Sequence, residues 1–304
     1  MTEVLRRVLV VGAGGFIGQH LVARLGGAGD CALTLMGNCI DGADLTEHTC
    51  FPGEVCGELF NQCAAPDVIF YLAGGASVGE SIARPFRDFQ RTVSPLYELL
   101  EKVKNDWQSS HIVYVSSAAV YGRSATCATN TASALSPVSP YGLHKKMAEE
   151  LLCFYAAEHG VGVSIVRPFS VYGEGLKKQL LWDALQKSSR GDHRFFGSGR
   201  ELRDWVYVGD LVSFVLSIGF NHKQYPRVIN AGSGVAVSTR EILTTLFSLF
   251  GETALPEFKE ENKPGDPQHL VADFEEQRSY AGFFVTPLPV ALLRYVSWYR
   301  SNAL

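Results

Sequence analysis

Tyr141 and Lys145 stand four residues apart at the start of a stretch with helical hydrophobic spacing, so both side chains project from one face. A phenol titrates near pH 10 in water, too high for efficient proton transfer at neutral pH. An ammonium one turn away favours the phenolate and lowers that value. Such a pair can pass a proton to or from a hydroxyl or carbonyl oxygen. YxxxK also arises by chance in many helices, so the reading needs support from elsewhere in the chain. Ser116 and Ser117 provide it: they end an apolar run, in Val-Ser-Ser-Ala-Ala-Val-Tyr-Gly over Val115–Gly122. At the carboxyl end of a parallel strand a hydroxyl is placed to polarise a reacting oxygen.

Three glycines offer a second kind of chemistry. Gly12, Gly15 and Gly18 lie where the β-branched run Val8–Val11 gives way to Phe16, Ile17, Leu21, Val22 and Leu25 at helical spacing. Backbone amides and a helix N-terminus can there face a pyrophosphate with no Cβ in the way. The spacing is GxxGxxG rather than GxGxxG. The next strand ends Met36-Gly37-Asn38, with neither the acid that grips an adenosine ribose nor a base for a 2′-phosphate, which leaves NAD(H) and NADP(H) both open. Asp44-Leu45 follows closely, and Leu72-Ala73-Gly74-Gly75 closes a later apolar run with small residues that let a cofactor approach.

The elements that must hold these groups follow from periodicity. Strands are predicted at Val8–Val11, Ala32–Met36, Val68–Ala73, Ile112–Val115 and Val163–Val166. Helices are predicted around Val55–Cys63, Phe86–Lys104 and Tyr141–His159. This alternation implies an α/β fold, a Rossmann-type doubly wound parallel sheet covered on both faces. After Arg167 the pattern breaks into shorter pieces, with helices at Leu176–Arg190, Asp210–Phe220, Arg240–Phe250 and Leu288–Ser301. A dinucleotide-binding domain is expected over 1–172 plus about 203–232, and a smaller C-terminal α/β substrate lobe over about 173–202 plus 233–304.

Bulk properties exclude several other roles. The chain has 304 residues, 46% hydrophobic and 19% charged, a globular composition long enough for a sizeable core. A net charge of −4 with scattered Lys and Arg argues against nucleic acid as a partner. Gly12 to Gly15 interrupt the first apolar run well short of a signal-peptide core, and no stretch approaches a membrane span, so a cytoplasmic location is expected. Seven cysteines include no CxxC pair, and the spacing of His48, Cys50, Cys56 and Cys63 fits no common ligand pattern, so reduced thiols and no metal are expected.

Taken in order, these motifs resemble the extended short-chain dehydrogenase/reductase family, in its nucleotide-sugar epimerase, dehydratase and reductase branch, from about Val8 to Asp273. The resemblance implies a cofactor turn at Gly12, Gly15, Phe16, Ile17 and Gly18, an adenine contact at Asp44 and Leu45, and a cofactor loop at Ala73 and Gly74. It implies a catalytic triad of Ser117, Tyr141 and Lys145, with Tyr141 and Lys145 also touching the cofactor. The segment Arg167–Gly173 is similar to the stretch that crosses from nicotinamide to sugar, giving Pro168 to the cofactor and Ser170, in place of the common asparagine, to the substrate. Arg203 resembles the arginine on the substrate diphosphate, Lys263 a second phosphate contact, and Phe196 a residue beside the base. Thr92 replaces a frequent cofactor-supporting asparagine.

The implied partner is a nucleoside-diphosphate sugar, and the implied assembly a homodimer built from the Phe86–Lys104 and Tyr141–His159 helices. Dehydratases of the branch carry an acid directly after the catalytic hydroxyl; here Ala118 and Ala119 offer no proton donor. The favoured expectation is reduction of a nucleoside-diphosphate 4-keto-6-deoxyhexose, because the second strand lacks a ribose-gripping acid and runs into Asp44 after a short connection. The alternative is 4-epimerisation of a nucleotide sugar, and the remote one a non-catalytic NADP sensor, for which a broken triad would be expected. Sugar and base would be chosen by loops around Ser77–Ser81, Tyr172–Lys178 and Phe196–Glu201.

Overall fold

The first strand, Arg6–Val11 (β1), carries four consecutive buried aliphatic residues because helices cover both faces of the sheet it centres. In this computed structural model, which describes residues 5–27, 30–38, 48–122, 128–225, 227–259, 269–280 and 285–303, the chain continues through Phe16–Gly26 (α1), Cys31–Gly37 (β2), Thr49–Pro52 (β3) and Gly57–Asn61 (α2). Then come Val68–Tyr71 (β4), Val78–Ala83 (α3), Pro85–Thr92 (α4), Ser94–Asp106 (α5), His111–Val115 (β5), Pro140–Glu158 (α6) and Gly162–Pro168 (β6). The remaining elements are Ser170–Tyr172 (β7), Gln179–Ser188 (α7), Arg194–Phe195 (β8), Leu202–Tyr207 (β9), Val208–Asn221 (α8), Val228–Ala231 (β10) and Ala236–Ser238 (β11). Thr239–Phe250 (α9), Glu257–Phe258 (β12), His269–Leu270 (β13), Phe274–Arg278 (α10) and Leu288–Ala303 (α11) complete them.

Seven strands form the main sheet in the order β10-β6-β5-β4-β1-β2-β3. Every pairing from β3 to β6 is parallel. The chain builds outward from β1 to β3 and then returns to the other side of β1 with β4. This is the Rossmann-type doubly wound fold, and its switch point lies between β1 and β4, the crevice such sheets use for ligands. One core cluster joins Leu9, Val11, Ile69, Tyr71, Ile112 and Tyr114 of the sheet to Leu96, Leu99, Leu100 and Val103 of α5 and Ala148, Leu152 and Tyr155 of α6.

Contacts divide the chain into two units: Met1–Gly122 with Leu135–Arg167 and Val212–Ile229, and Arg123–Ala134 with Pro168–Leu211 and Asn230–Leu304. The segments 168–172 and 203–211, assigned from sequence to the dinucleotide domain, group with the second unit. In that unit β9 pairs antiparallel with β11 and parallel with β13 through its first half, and parallel with β7 through its second. Asp204 at its middle is fully buried and accepts from the amides of Ser233 (2.6 Å), Gly234 (2.8 Å) and Ala272 (3.2 Å) and from the Ser233 hydroxyl. One carboxylate thus fixes three chain segments.

Some element bounds differ from the periodicity. The helix expected over Phe86–Lys104 is two helices meeting at Val93, because Pro95 has no N–H to donate and fits only the first turn of a helix. Val55–Cys63 and Leu176–Arg190 shorten to α2 and α7, and Val68–Ala73 to β4. Strands β3 and β10 extend the sheet beyond the five expected.

Candidate active site

At the switch point the backbone is bare. Gly12 adopts φ +90°, and a Cβ there would lie 2.7 Å from the amide nitrogen of Ala73. A Cβ on Gly18 would fall 2.2 Å from the carbonyl oxygen of Gly12, so only glycine lets α1 close onto the turn. The amides of Gly12 and Ala13 both donate to the Met36 carbonyl, at 2.7 and 3.1 Å, and set the angle of the turn. Helix α1 begins at Phe16 and Ile17 with Gly15 as N-cap, no side chain capping it and no acid in its first turn, so its positive end is open to an anion. Asp44 and Leu45 lie outside the described residues.

The loop after β4 faces the proton-transfer set. A Cβ on Gly74 would meet the Thr92 hydroxyl at 3.2 Å and the Lys145 ammonium at 3.5 Å. Thr92 is fully buried, and its Oγ1 accepts the amide of Gly75 at 2.9 Å. The departure from asparagine therefore serves the loop directly.

Two serines shape the first turn of α6. Ser139 caps it by accepting from Gly142, Pro140 follows at the position that needs no donor, and the Ser81 hydroxyl accepts the Tyr141 amide at 3.1 Å. A Cβ on Gly142 would lie 2.5 Å from the Ala119 carbonyl, so this turn packs on the short 3-10 turn Ala118–Val120 that follows β5. Packing at that distance sets Ser117 near the Tyr141 phenol, whose titration it lowers. Ser117 Oγ also accepts the Ala119 amide at 3.1 Å.

Lys145 is 3% exposed and donates to the Val115 carbonyl at 2.9 Å, with its ammonium 4.8 Å from the Tyr114 ring centre. Burial lowers its pKa from 10.5 to about 8, opposed by the charges of Asp88 and Glu149. The phenol moves opposite to the sequence expectation. Burial raises Tyr141, the Ser117 hydrogen bond works against it, and Asp88 adds to the rise. The reason is geometric: the Lys145 ammonium is turned to Val115 and shares its surroundings with carboxylates, so desolvation dominates.

A buried network beneath the set was not foreseen from sequence. Arg167 pairs with Glu149 through two donors, Nε to Oε1 at 3.0 Å and Nη2 to Oε2 at 2.6 Å, and Ser116 donates to the same Glu149. Arg167 Nη1 donates to the Tyr121 hydroxyl at 2.8 Å. Its signal was the Glu149 to Arg167 charge complement, hidden by separation in sequence.

Of the expected substrate residues Ser117 belongs to the first unit and Ser170, Phe196 and Arg203 to the second, together with Pro168, which was expected at the cofactor. Pro168 is buried, Ser170 opens β7 opposite Trp205 of β9, and Arg203 on β9 is half-buried with Nη1 donating to the Leu202 carbonyl at 2.9 Å. Phe196 is 48% exposed, with the Lys259 ammonium 5.9 Å above its ring. Lys263 lies outside the described residues. Among the described residues no three His, Cys, Asp or Glu side chains converge as metal ligands, and no helix is long and apolar enough to cross a membrane.

A glycine cradle at the switch point of a parallel sheet, with Ser, Tyr and Lys gathered beside it, defines the class of short-chain dehydrogenases and reductases. The chain belongs to the NAD dependent epimerase/dehydratase family, whose model matches residues 8–232. It is thus an enzyme of the NAD-dependent group that epimerises, dehydrates or reduces nucleotide sugars, and the cofactor left open by its second strand is NAD. It is 28% identical over 313 residues to a UDP-glucose 4-epimerase of Azospirillum brasilense, covering 93% of this chain and 88% of that one. It is 29% identical over 251 residues to a GDP-6-deoxy-D-mannose reductase of Pseudomonas aeruginosa, covering 79% of each. Its fold matches the UDP-glucose 4-epimerase of Thermotoga maritima, solved with UDP-glucose, at TM-score 0.87 and 25% identity, over 98% of this chain and 100% of that one.

Proposed function

We propose that the protein interconverts the C4 epimers of a nucleoside-diphosphate hexose, with UDP-glucose and UDP-galactose as the pair to test first. One observation carries the reading: the first turn of α6, which holds Tyr141 and buried Lys145, packs on the turn that follows Ser117, while Ala118 and Ala119 place no acid next to Ser117 to expel water. The epimerase relatives, matched over nearly the whole chain, support it over the reduction favoured from the sequence.

NAD, when bound, supplies a hydride acceptor and a positive charge next to the phenol. The residues fit it: bare backbone at Gly12, Gly15 and Gly18 and the open end of α1 at Phe16 and Ile17 for the pyrophosphate, and Ala73, Gly74 and Pro168 along its length. We assign the adenine contact to Asp44 and Leu45. Tyr141 takes the proton of the C4 hydroxyl and returns it to the C4 keto oxygen. Ser117 donates to that oxygen and keeps the phenol aligned. Lys145, as an ammonium, holds the nicotinamide ribose and favours the phenolate. Arg203 and Lys263 bind the diphosphate, Ser170 the sugar and Phe196 the base. The working form is a cytoplasmic homodimer.

A second reading, reduction of a 4-keto-6-deoxy sugar nucleotide, is favoured by the reductase relative and by the acid-free end of β2 at Gly37-Asn38. The two separate in one experiment. Purified protein is denatured and the released nucleotide identified, and fresh protein is then offered UDP-galactose or NADPH with a 4-keto-6-deoxy sugar nucleotide. Stoichiometric NAD and formation of UDP-glucose are expected; absence of NAD with steady NADPH consumption overturns the epimerase reading.

A further inference from the structure

Next to Tyr141 and Lys145 lies a second buried pair, His144 and Asp88. His144 stands between Tyr141 and Lys145 in the first turns of α6, and its Nδ1 is 2.6 Å from Oδ2 of Asp88 on α4. The two side chains are 9% and 7% exposed. A carboxylate only accepts, so Nδ1 carries the hydrogen. The other carboxylate oxygen faces the loop after β4: a Cβ on Gly75 would fall 1.8 Å from Asp88 Oδ1. One turn along α4, Thr92 accepts the Gly75 amide, and the Phe89 ring meets His144 edge-on at 5.7 Å. Helix α4 therefore grips both the turn that carries the proton-transfer pair and the loop that borders it.

Resting on the roles assigned to Tyr141 and Lys145, we propose that Asp88 is a positioning residue for proton transfer. Through His144 and the Gly74–Gly75 loop it fixes the first turns of α6, and with them the place of Lys145.

An apolar contact would hold two helices together without the desolvation a buried acid entails, so what Asp88 adds is direction and charge. Burial drives Lys145 down to about 8, and of the two acids that oppose this, Asp88 comes first, ahead of Glu149. Asp88 meets His144 directly, and its charge acts on Tyr141 and Lys145 of α6 and on Tyr114 of β5. Neighbouring acids are engaged elsewhere: Glu80 of α3 pairs with Arg91 at 3.7 Å, and Glu98 of α5 accepts the Gly57 amide. Removing the Asp88 charge leaves the ammonium with less support, so Lys145 gives up its proton at lower pH.

The test is Asp88→Asn in the full-length chain, read in two ways. In protein labelled with 13C at the lysine ε-carbon, the Lys145 signal is assigned by its loss in Lys145→Met, and its titration midpoint should fall below that of wild type. Turnover of UDP-galactose should drop roughly ten- to a hundredfold in kcat with KM little changed, as for a misplaced rather than missing group, and its alkaline limit should move to lower pH. An unchanged Lys145 midpoint overturns the proposal. Should Asp88→Asn not fold, His144→Asn, whose amide can donate to Asp88, should keep kcat, whereas His144→Leu should lose it; equal behaviour of the two overturns the proposal. The underlying reading fails separately, through full turnover by Tyr141→Phe. An inactive Tyr141→Phe combined with an unshifted Lys145 removes only the role of Asp88.

Discussion

Tyr141 is asked to release and recover one proton from a site whose burial holds the phenol above its ordinary range. Tyr141→Phe keeps the ring and removes the proton carrier, so kcat should fall by about 10²- to 10⁴-fold while NAD stays bound, measured by turnover and by nucleotide released on denaturation. Lys145 yields a prediction about stability. Its folded value of about 8 lies below the 10.5 of an exposed lysine, so between these pH values the unfolded chain binds the additional proton. Stability from this group therefore rises from about pH 8 to 10.5 and is lowest below pH 8, where keeping the ammonium buried costs up to about 3 kcal/mol. In Lys145→Met, thermal melts should show that rise flattened and a Tm at pH 7 no lower than wild type, with activity lost. An invariant pH dependence of Tm would contradict the assignment.

Among the elements, α6 is tied to the sheet through a buried ion pair, Glu149 with Arg167 of β6. Arg167→Ala leaves that carboxylate buried without its partner and should cost about 3–5 kcal/mol in denaturant unfolding, whereas a double replacement, Arg167→Met with Glu149→Leu, should recover most of the loss. Gly75→Ala forces a methyl group onto the Asp88 carboxylate and should weaken NAD retention along with stability, read by nucleotide content and Tm. Periodicity reveals β1, β4 and β5 because central parallel strands are buried on both faces and read as unbroken apolar runs. It misses β3, an edge strand reading Thr-Cys-Phe-Pro with exposed ends. Ser117, Tyr141 and Lys145 were legible because each lies in a local motif at the end of an element. Asp88 with His144 was not, since the partners are 56 residues apart and only the packing of α4 on α6 joins them. The direction of the Tyr141 shift was hidden for a related reason: spacing shows that Lys145 shares a face with it but not that the ammonium turns to Val115.

At the scale of the molecule, helices α4, α5 and α6 expose several large apolar side chains around a groove that Ser94, Glu98 and Glu150 also line. Phe86, Tyr97, Leu143 and Phe154 are 69%, 49%, 46% and 56% exposed, beside the groove lined by Phe89, Val93, Met147 and Leu151. The homodimer proposed above would use that face: wild type should then scatter light as a dimer and Tyr97→Glu combined with Phe154→Glu as a monomer with the fold spared by circular dichroism, whereas a monomeric wild type would overturn the dimer and a persisting dimer would move the interface elsewhere. The division of the chain has another outcome, felt during synthesis. The first unit takes its last segment at Ile229, whereas the second draws on Arg123–Ala134 and Pro168–Leu211 but needs helix α11 to finish. On the ribosome the sheet with its glycine cradle can assemble while the second unit still waits for its C-terminal helices. Nascent chains would thus form the glycine cradle before the second unit is complete, and a dinucleotide bound there would act as a ligand that steadies a half-made protein.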